Sequence, residues 1–432
     1  MIKNPQNFFL IDPYIQDECG HFLVYDNNVL KAVNKIGINP ILCCNYLTKD
    51  NLDGSIAVRK IFEHSGYGNK LIGVNKGYDF TAPCKFAKTL INFLLNEAKE
   101  NDAIFIPHIS DPYLAELNRQ LKKLLDFPKI NLHIFIREQY IDKKNDKNCF
   151  RINSKTIIKN VTNFILNIGI AVKFISSNKK NDRIQELHEL KQNNKLKACF
   201  YYTDTKEIAN QHKNLFGLNF TILPIPLEIK VEEDIKINSN KPIEVVYLGD
   251  AREEKGFNQL PNIIWQLKKQ IEDQKISFKI QINIKGKRKD IAKTHQKLIK
   301  LSQQSLVTLL DKTLNEKEYQ TLIKRSDIIW NLYDKKAYEY RSSQIFTEAL
   351  SFGKVPLTLK GSSMANLLPE NSNWICDAWE SCVQNFVEIV NDWENNLLLA
   401  KKLSKKFRDQ NRSDKLVEIL LKTSAPEAKL MA

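Results

Sequence analysis

The 432-residue chain has no run of ~18 apolar residues, the length a membrane-crossing helix needs. Its longest mainly apolar stretches, such as Phe164 to Ile175, are shorter and interrupted. The early cluster Phe8, Phe9, Leu10 and Ile11 runs at once into Asp12 and Pro13, so it does not read as a signal-peptide core. The eight cysteines include no CxxC and are scattered apart from the adjacent Cys43 and Cys44. That usage reads as reduced thiols in a cytoplasmic protein, not as a disulfide framework or a zinc site. The seven histidines form no HxxxH or HxH pair, so no dedicated metal site is expected. No apolar strand candidate is followed by GxGxxG, which disfavours a dinucleotide-dependent dehydrogenase. No basic run is interleaved with aromatics, which disfavours nucleic acid as the partner. A glycosidase-type pair of carboxylates and a short-period internal repeat are also absent.

What is present is globular. Hydrophobic residues make up 43% and charged ones 27%, which excludes a wholly disordered chain. At ~150 residues per domain the length predicts two or three domains. Lys plus Arg number 65 against 50 Asp plus Glu, a net charge of +15. That excess points to anionic partners such as nucleotides, phosphates, nucleic acid or an anionic membrane face. It also follows from a composition rich in Lys, Asn and Ile, and by itself it does not choose.

Short apolar runs alternate with amphipathic stretches almost throughout. Strands are expected at Phe8–Ile11, Pro40–Cys43, Lys70–Val74, Ala103–Ile106, Leu132–Ile136, Val172–Ile175 and Ala198–Tyr202. Helical patterns such as Asn28–Lys35, Lys85–Glu100 and Tyr113–Leu125 lie between them, which implies parallel βαβ units. The composition shifts at Leu223–Pro242, where Pro224, Pro226 and Pro242 bracket LEIKVEEDIKINSNK, the best linker in the chain. Alternation then restarts. Strands are expected at Glu244–Leu248, Phe278–Asn283, Leu306–Leu309, Asp327–Asn331 and Val355–Leu359, with a short run at Asn373–Cys376. Helices are expected at Asn258–Lys269, Asp290–Gln304, Glu316–Lys324 and Gln344–Phe352. The α/β pattern therefore predicts a Rossmann-like domain over 1–225, a linker over 226–242, a second Rossmann-like domain over 243–395 and a helical tail over 396–432. The tail carries Lys401, Lys402, Lys405, Lys406 and Arg408. It reads as a solvated helix face or as a terminal helix packed back across the linker; contact with an anionic membrane is the functional alternative.

Ligands of open parallel sheets bind beyond the carboxyl ends of the strands. The first loop of interest is VVYLGDAREEKGF, Val245 to Phe257. Gly249 opens a turn after the strand, and Arg252 and Lys255 follow before Gly256. A guanidinium fork and an ammonium there suit a diphosphate. The plain alternative is a surface loop whose cations pair with Glu253 and Glu254. The second segment is YEYRSSQIFTEALSFGKVPLT, Tyr338 to Thr358. Ser342 or Ser343 is a good N-cap, and Gly353 ends the helix that follows. Free N–H groups at that start suit a phosphate. Gln344 and Glu348 lie four apart on one helical face, and the Glu348 carboxylate can accept hydrogen bonds from a ribose diol. Among Phe346, Ala349 and Leu350, Glu348 is expected to be half-buried.

These two motifs together resemble the GT-B glycosyltransferases, in particular the large family-4-like "glycosyl transferases group 1". The resemblance is good over Ile243 to Leu368 and weaker in the first half. There DECGHFLVYDNNVLKAVNKIG, Asp17 to Gly37, is similar to the family's glycine-containing first loop and helix. It implies two Rossmann-like doubly wound domains facing across a cleft. It implies that Arg252 and Lys255 bind a donor diphosphate and that Glu348 holds the ribose. Gly249, Tyr340, Arg341, Ser342, Ser343, Gln344 and Ile345 would complete the donor site. The EAxxxGxPV segment of the family looks like Glu348, Ala349, Gly353, Pro356 and Leu357. Its frequent second Glu, eight positions before the ribose-binding one, is Tyr340 here, with Glu339 one residue earlier.

On the acceptor side, Gly20 and His21 follow the first strand and His108 follows the fourth expected one. Glycine permits close approach and histidine can contact an acceptor or phosphate, though a lone histidine is commonly structural. Arg137 and Glu138 are weaker candidates, and His64, His188 and His212 lack a supporting motif. The resemblance implies sugar transfer from a nucleotide-diphosphate sugar to a glycan or lipid-linked acceptor hydroxyl. The reaction is expected to be retaining and metal-independent, without a cofactor, in bacterial surface polysaccharide synthesis. The protein is expected to be cytoplasmic, with peripheral membrane contact through its basic surface. A non-catalytic nucleotide-sugar-binding protein, a nucleotide-sugar epimerase and a nucleic-acid-binding protein are the alternatives.

Overall fold

The computed structural model describes residues 5–15, 21–48, 55–63, 81–137, 183–227, 241–282 and 289–423. Among the described residues the first half carries seven strands: β1 (Asn7–Asp12), β2 (Asn39–Asn45), β3 (Ala57–Phe62), β4 (Ala103–Ile106), β5 (Asn131–Phe135), β6 (Ala198–Thr203) and β7 (Thr221–Ile222). They form one sheet in the order β3-β2-β1-β4-β5-β6-β7, and every pairing is parallel. Helices α1 (His21–Lys35), α2 (Ala82–Glu97), α3 (Asp111–Lys122), α4 (Arg183–Lys191) and α5 (Lys206–Phe216) accompany it. Phe8, Phe9, Leu10 and Ile11 are all fully buried. A strand covered on both faces reads as a continuous apolar run, which is how β1 reads.

The second half repeats the plan with β8 (Ile243–Tyr247), β9 (Ile276–Gln281), β10 (Thr308–Leu310), β11 (Ile328–Asn331), β12 (Val355–Leu359) and β13 (Ile375–Cys376). Their order is β10-β9-β8-β11-β12-β13, again all parallel. The expected helix Asn258–Lys269 is instead a 3-10 turn at Phe257–Gln259, then α6 (Leu260–Gln266) and α7 (Lys268–Glu272). Pro261 sits at the start of α6, where a missing N–H is tolerated. The remaining helices are α8 (Lys289–Gln303), α9 (Glu316–Arg325), α10 (Gln344–Ser351), α11 (Cys382–Asn391), α12 (Trp393–Gln410) and α13 (Ser413–Thr423). Local chemistry sets several ends. Asn315 and Glu318 form a reciprocal capping box on α9. Thr205 caps α5, which ends at Gly217 with φ +66°.

Two expectations need correction. Strand β3 was not anticipated; its Ala57, Val58 and Ile61 are only half-buried at the sheet edge, so its apolar pattern is weak. The third strand of the second half starts at Thr308, not Leu306, after a positive φ at Ser305 (+60°). The strand candidates Lys70–Val74 and Val172–Ile175 lie outside the described residues, as do 228–240 of the linker.

The C-terminal helices tie the halves together. Helix α12 packs on α10: the Ser404 hydroxyl and the Arg408 guanidinium both donate to the Ser351 carbonyl, each at 2.8 Å. Arg408 thus works structurally within the basic tail. Helix α13 crosses back and buries Leu416, Val417 and Leu420 in the first half's core, beside Phe8, Leu10 and Val29. The Asn411 side-chain carbonyl accepts from the Ile225 N–H at 2.9 Å, and its backbone carbonyl accepts from the Leu227 N–H at 3.1 Å. Leu420→Ala should therefore destabilise the protein by about 2–5 kcal/mol, as deletion of a fully buried Leu does. Chemical denaturation measures it, and a cost below 1 kcal/mol would show α13 to be loosely docked.

Candidate functional site

The site grows from Gly249, just past β8. Its φ of +95° is costly for a side-chain-bearing residue. A Cβ there would lie 3.4 Å from both the Lys255 Nζ and the Ile345 Cδ1. The β8 loop and the start of α10 therefore converge on one point. The Gly249 N–H donates to Gln281 Oε1 at 3.0 Å, and Gln281 Nε2 donates to the Lys312 carbonyl at 2.8 Å. Gly256, with φ +72°, lies so close to the Leu332 carbonyl and the Trp379 ring that a Cβ would meet both at 2.4 Å. Trp330 Nε1 donates to the Lys255 carbonyl at 3.3 Å. Together these contacts fix the backbone of the cationic loop.

Lys255 is only 8% exposed. Burial first, and repulsion from Arg252 and Arg341 with it, pull its pKa down to about 8 against the attraction of Asp250 and Glu254. No ion pair holds its ammonium among the described residues; the Tyr333 ring centroid lies 5.6 Å away. Arg252 does pair with Glu254, at 3.2 Å. The surface-loop alternative thus holds for Arg252 and not for Lys255. Arg341 stacks 4.9 Å over the Tyr338 ring. Lys255 and Arg341 thus stand against two neighbouring tyrosines, whose ring centroids lie 4.7 Å apart.

Ser343, not Ser342, caps α10 by accepting from the Phe346 N–H at 3.3 Å. Glu348 is half-buried one turn in. Its Oε2 accepts from the Tyr319 hydroxyl at 2.6 Å and its Oε1 from Gln344 Nε2 at 3.1 Å. The carboxylate is thereby held in place on α10.

The opposing edge belongs to the first sheet. Asp12 ends β1, His108 follows β4, Arg137 follows β5 and Asp204 follows β6. The Arg137 guanidinium lies 4.7 Å from the Tyr25 and Phe135 ring centroids and 4.0 Å from Asp204 Oδ2. Asp204 is buried and accepts from the Ser342 hydroxyl of the other half. Thr205 Oγ1 donates to the Tyr340 carbonyl at 2.9 Å. The loop that precedes α10 is therefore held by the first half. Asp12 and Asp26 are fully buried side by side. Burial, and for Asp26 the Asp12 charge as well, pushes both carboxyls upward against the pull of Arg137. Two carboxylates buried side by side disfavour carrying two charges.

The structure brings Gly249, Arg252, Lys255, Arg341, Ser343, Ile345 and Glu348 to one edge. Tyr340 is half-exposed, with its hydroxyl raised by burial and by Glu339 and Glu207. Ser342 spends its hydroxyl on Asp204. Gly20 lies outside the described residues, and His21 opens α1 with its side chain undescribed. His108 stands among aromatics, its ring 6.0 Å from Tyr14 and 6.5 Å from Tyr25. His188 and His212 bond backbone carbonyls, at 3.1 and 3.0 Å. His64 and Glu138 lie outside the described residues. Sequence reasoning missed Gln281, Tyr319, Tyr333, Asp204 and the Asp12–Asp26 pair. Their only signal was their place just after, or facing, a strand end.

No protein-family model and no curated protein sequence matches the chain. Solved structures do resemble it over almost its whole length. The sucrose-phosphate synthase of Thermosynechococcus elongatus is similar at a TM-score of 0.64 and 11% identity, covering 97% of this chain and 98% of that one. The trehalose-6-phosphate synthase OtsA is similar at 0.65 and 10%, covering 99% of each chain. HepE from Anabaena, solved in complex with UDP-glucose, is similar at 0.60 and 8%, covering 96% and 98%. These likenesses show the fold: two Rossmann-like halves in the GT-B arrangement, as the sequence led us to expect.

The two buried titrating groups have opposite signs. Lys255 binds its proton more weakly folded than unfolded, so its contribution to stability rises with pH. Relative to Lys255→Met, the unliganded protein should gain up to roughly 3 kcal/mol between pH 7.5 and 10. The Asp12–Asp26 pair binds its proton more tightly folded, so its contribution is complete below the ordinary carboxylate range and lost as pH rises through its raised range. Relative to Asp26→Asn, the wild type should therefore lose stability as pH rises above the ordinary carboxylate range. Denaturant midpoints across pH check both. A flat difference for Lys255→Met would mean that the ammonium is solvated, and one for Asp26→Asn would mean that the pair is not.

Proposed function

We propose that the protein transfers a sugar from a nucleotide-diphosphate sugar to an acceptor hydroxyl. The observation that carries this is the meeting at Gly249 of the start of α10 and a buried Lys255 that has no ion-pair partner among the described residues, with Glu348 one turn further in. Burying an ammonium without a partner costs several kcal/mol, and a bound anion relieves that cost. A diphosphate meets Lys255, Arg252 and the α10 N–H groups, and the Glu348 carboxylate suits a ribose diol. The glycosyltransferase resemblance of the two motifs and the UDP-glucose in the similar HepE structure support the same reading.

In this reading the bond from the sugar's anomeric carbon to the diphosphate oxygen breaks. The acceptor oxygen forms the new bond, and its proton passes to the departing diphosphate. Arg252, Lys255 and the α10 start stabilise the charge that develops there, work done without a metal or cofactor. Asp12, Asp26 and Asp204 on the facing edge have buried side chains, and Asp204 is also engaged by Ser342. None of them is open to deprotonate an acceptor, which favours retention. The acceptor would lie on the first half's edge, among Gly20, His21 and His108. A glycan or lipid-linked acceptor in surface polysaccharide synthesis, at the cytoplasmic face of a membrane, fits the exposed Lys402, Lys405 and Lys406 on α12.

Thermal shift with a panel of nucleoside diphosphates and their sugars tests donor binding, and chromatography of the products tests transfer. At ~100 times its dissociation constant the matching nucleotide should stabilise the wild type by about 2.7 kcal/mol. Arg252→Ala should lower kcat by about 100- to 1,000-fold. Glu348→Gln should raise the donor KM roughly tenfold or more, with a smaller change in kcat. Binding without any turnover would mean a non-catalytic sugar-nucleotide binder, and donor converted without acceptor an epimerase. A folded protein that binds none of them would sink the proposal.

A further inference from the structure

A cavity of about 510 Å³ lies on the opposite side of α10 from Gln344 and Glu348. Ser343, Phe346, Thr347 and Leu350 face it, the stripe that helical spacing sets apart from positions 344 and 348. Its walls come from both halves. Ile222 and Pro224 belong to the end of the first half, Phe346 and Leu350 to α10, and Leu403 and Phe407 to α12. Lys206 of α5, Lys406 of α12 and Lys415 of α13 complete the lining, and all three are exposed. Among the described residues none of the three pairs with a carboxylate. The two acidic groups nearby are occupied. Asp204 is buried and bonded to Ser342, and Glu207 accepts from Asn366 at 2.7 Å. The volume falls in the range of small-molecule sites, and apolar walls with a few polar groups are their usual lining.

We propose that this cavity is an effector site for a small amphiphilic anion, with its apolar body between α10 and α12 and its acidic group on Lys206, Lys406 and Lys415. Such a ligand touches both halves at once. It braces the 204–205 loop against the loop that leads into α10, where the Asp204–Ser342 and Thr205–Tyr340 hydrogen bonds already join them. A ligand shifts an equilibrium only through contacts that differ between states, and a cavity walled by both halves offers such contacts if the halves shift against each other. Occupancy therefore tightens nucleoside diphosphate binding at the Lys255 site, and the coupling is reciprocal. This second step rests on the proposed function; the binding step does not.

The probe is 8-anilino-1-naphthalenesulfonate, an apolar anion read by its fluorescence, titrated into the full-length protein without nucleotide. One saturable site is expected. The variant Lys206→Ala/Lys406→Ala/Lys415→Ala should weaken it at least tenfold, whereas Lys402→Ala/Lys405→Ala, on the same tail but outside the cavity, should leave it unchanged. All five lysines are exposed, so folding is not at risk. Octyl phosphate should displace the probe and octanol should do so at least tenfold less well. Probe binding that survives the triple variant, falls equally in the control, or is lost in Arg252→Ala instead would overturn the site. With octyl phosphate saturating, UDP should bind at least threefold more tightly; unchanged UDP affinity would overturn the effector role. Failure of the wild type to bind UDP at all would count against the transferase reading, while the lysine dependence of the probe would still decide the site.

Discussion

A parallel strand cannot be followed by its neighbour without a crossover, and that constraint organises this molecule. Every strand pair in both sheets is parallel. The carboxyl ends of each sheet therefore share an edge, and the loops that leave them are neighbours whatever their distance in sequence. Gly249 and Lys255 meet Ile345, some ninety residues on, because β8 lies beside β11 and the chain re-enters over that edge through α10. Asp12, His108, Arg137 and Asp204 gather for the same reason. The chemistry sits on loops, and the sheets decide which loops meet.

The two halves are joined by more than a linker. Asp204 and Thr205 hold the loop before α10 at Ser342 and Tyr340, and α13 seats three apolar side chains in the first half's core. These attachments differ in kind. Burying Leu416, Val417 and Leu420 contributes several kcal/mol and is indifferent to small shifts of the edges. Two hydrogen bonds contribute about 1 kcal/mol each and are sensitive to such shifts. The apolar seam is thus the firmer of the two attachments, and the hydrogen-bonded one the more easily broken.

Much of this was legible in the sequence, and the limits were physical. Continuous apolar runs such as Phe8–Ile11 and Val355–Leu359 announced buried parallel strands. The half-buried edge strand β3 has no such run and went unseen. The loop glycines, Arg252, Lys255 and the Ser343 cap were readable because turn and cap chemistry is local. Tyr319, which holds Glu348, and Asp204, which holds Ser342, were not, because their partners lie 29 and 138 residues away. The Asp12–Asp26 pair was hidden for a related reason: Asp12 marks the end of an apolar run and Asp26 looks like an ordinary polar residue of α1. Only their shared burial makes them a pair.

Burial also bears on the question that spacing left even. On sequence alone, Arg252 and Lys255 read equally well as a diphosphate site or as a salt-bridged surface loop. An exposed lysine beside two glutamates would have found a partner at little cost and little benefit. In the structure Arg252 does that with Glu254, while Lys255 is turned inward under Gly249, beside Tyr333 and within reach of two guanidinium charges. A fold needing only stability would place an apolar side chain there, because a well-packed neutral residue is at least as stable as a buried charge. Two glycines at positive φ and the Trp330 bond instead hold, at a strand end, an ammonium with no ion-pair partner among the described residues. The arrangement is costly for the fold alone, and that cost is what the proposed diphosphate would relieve.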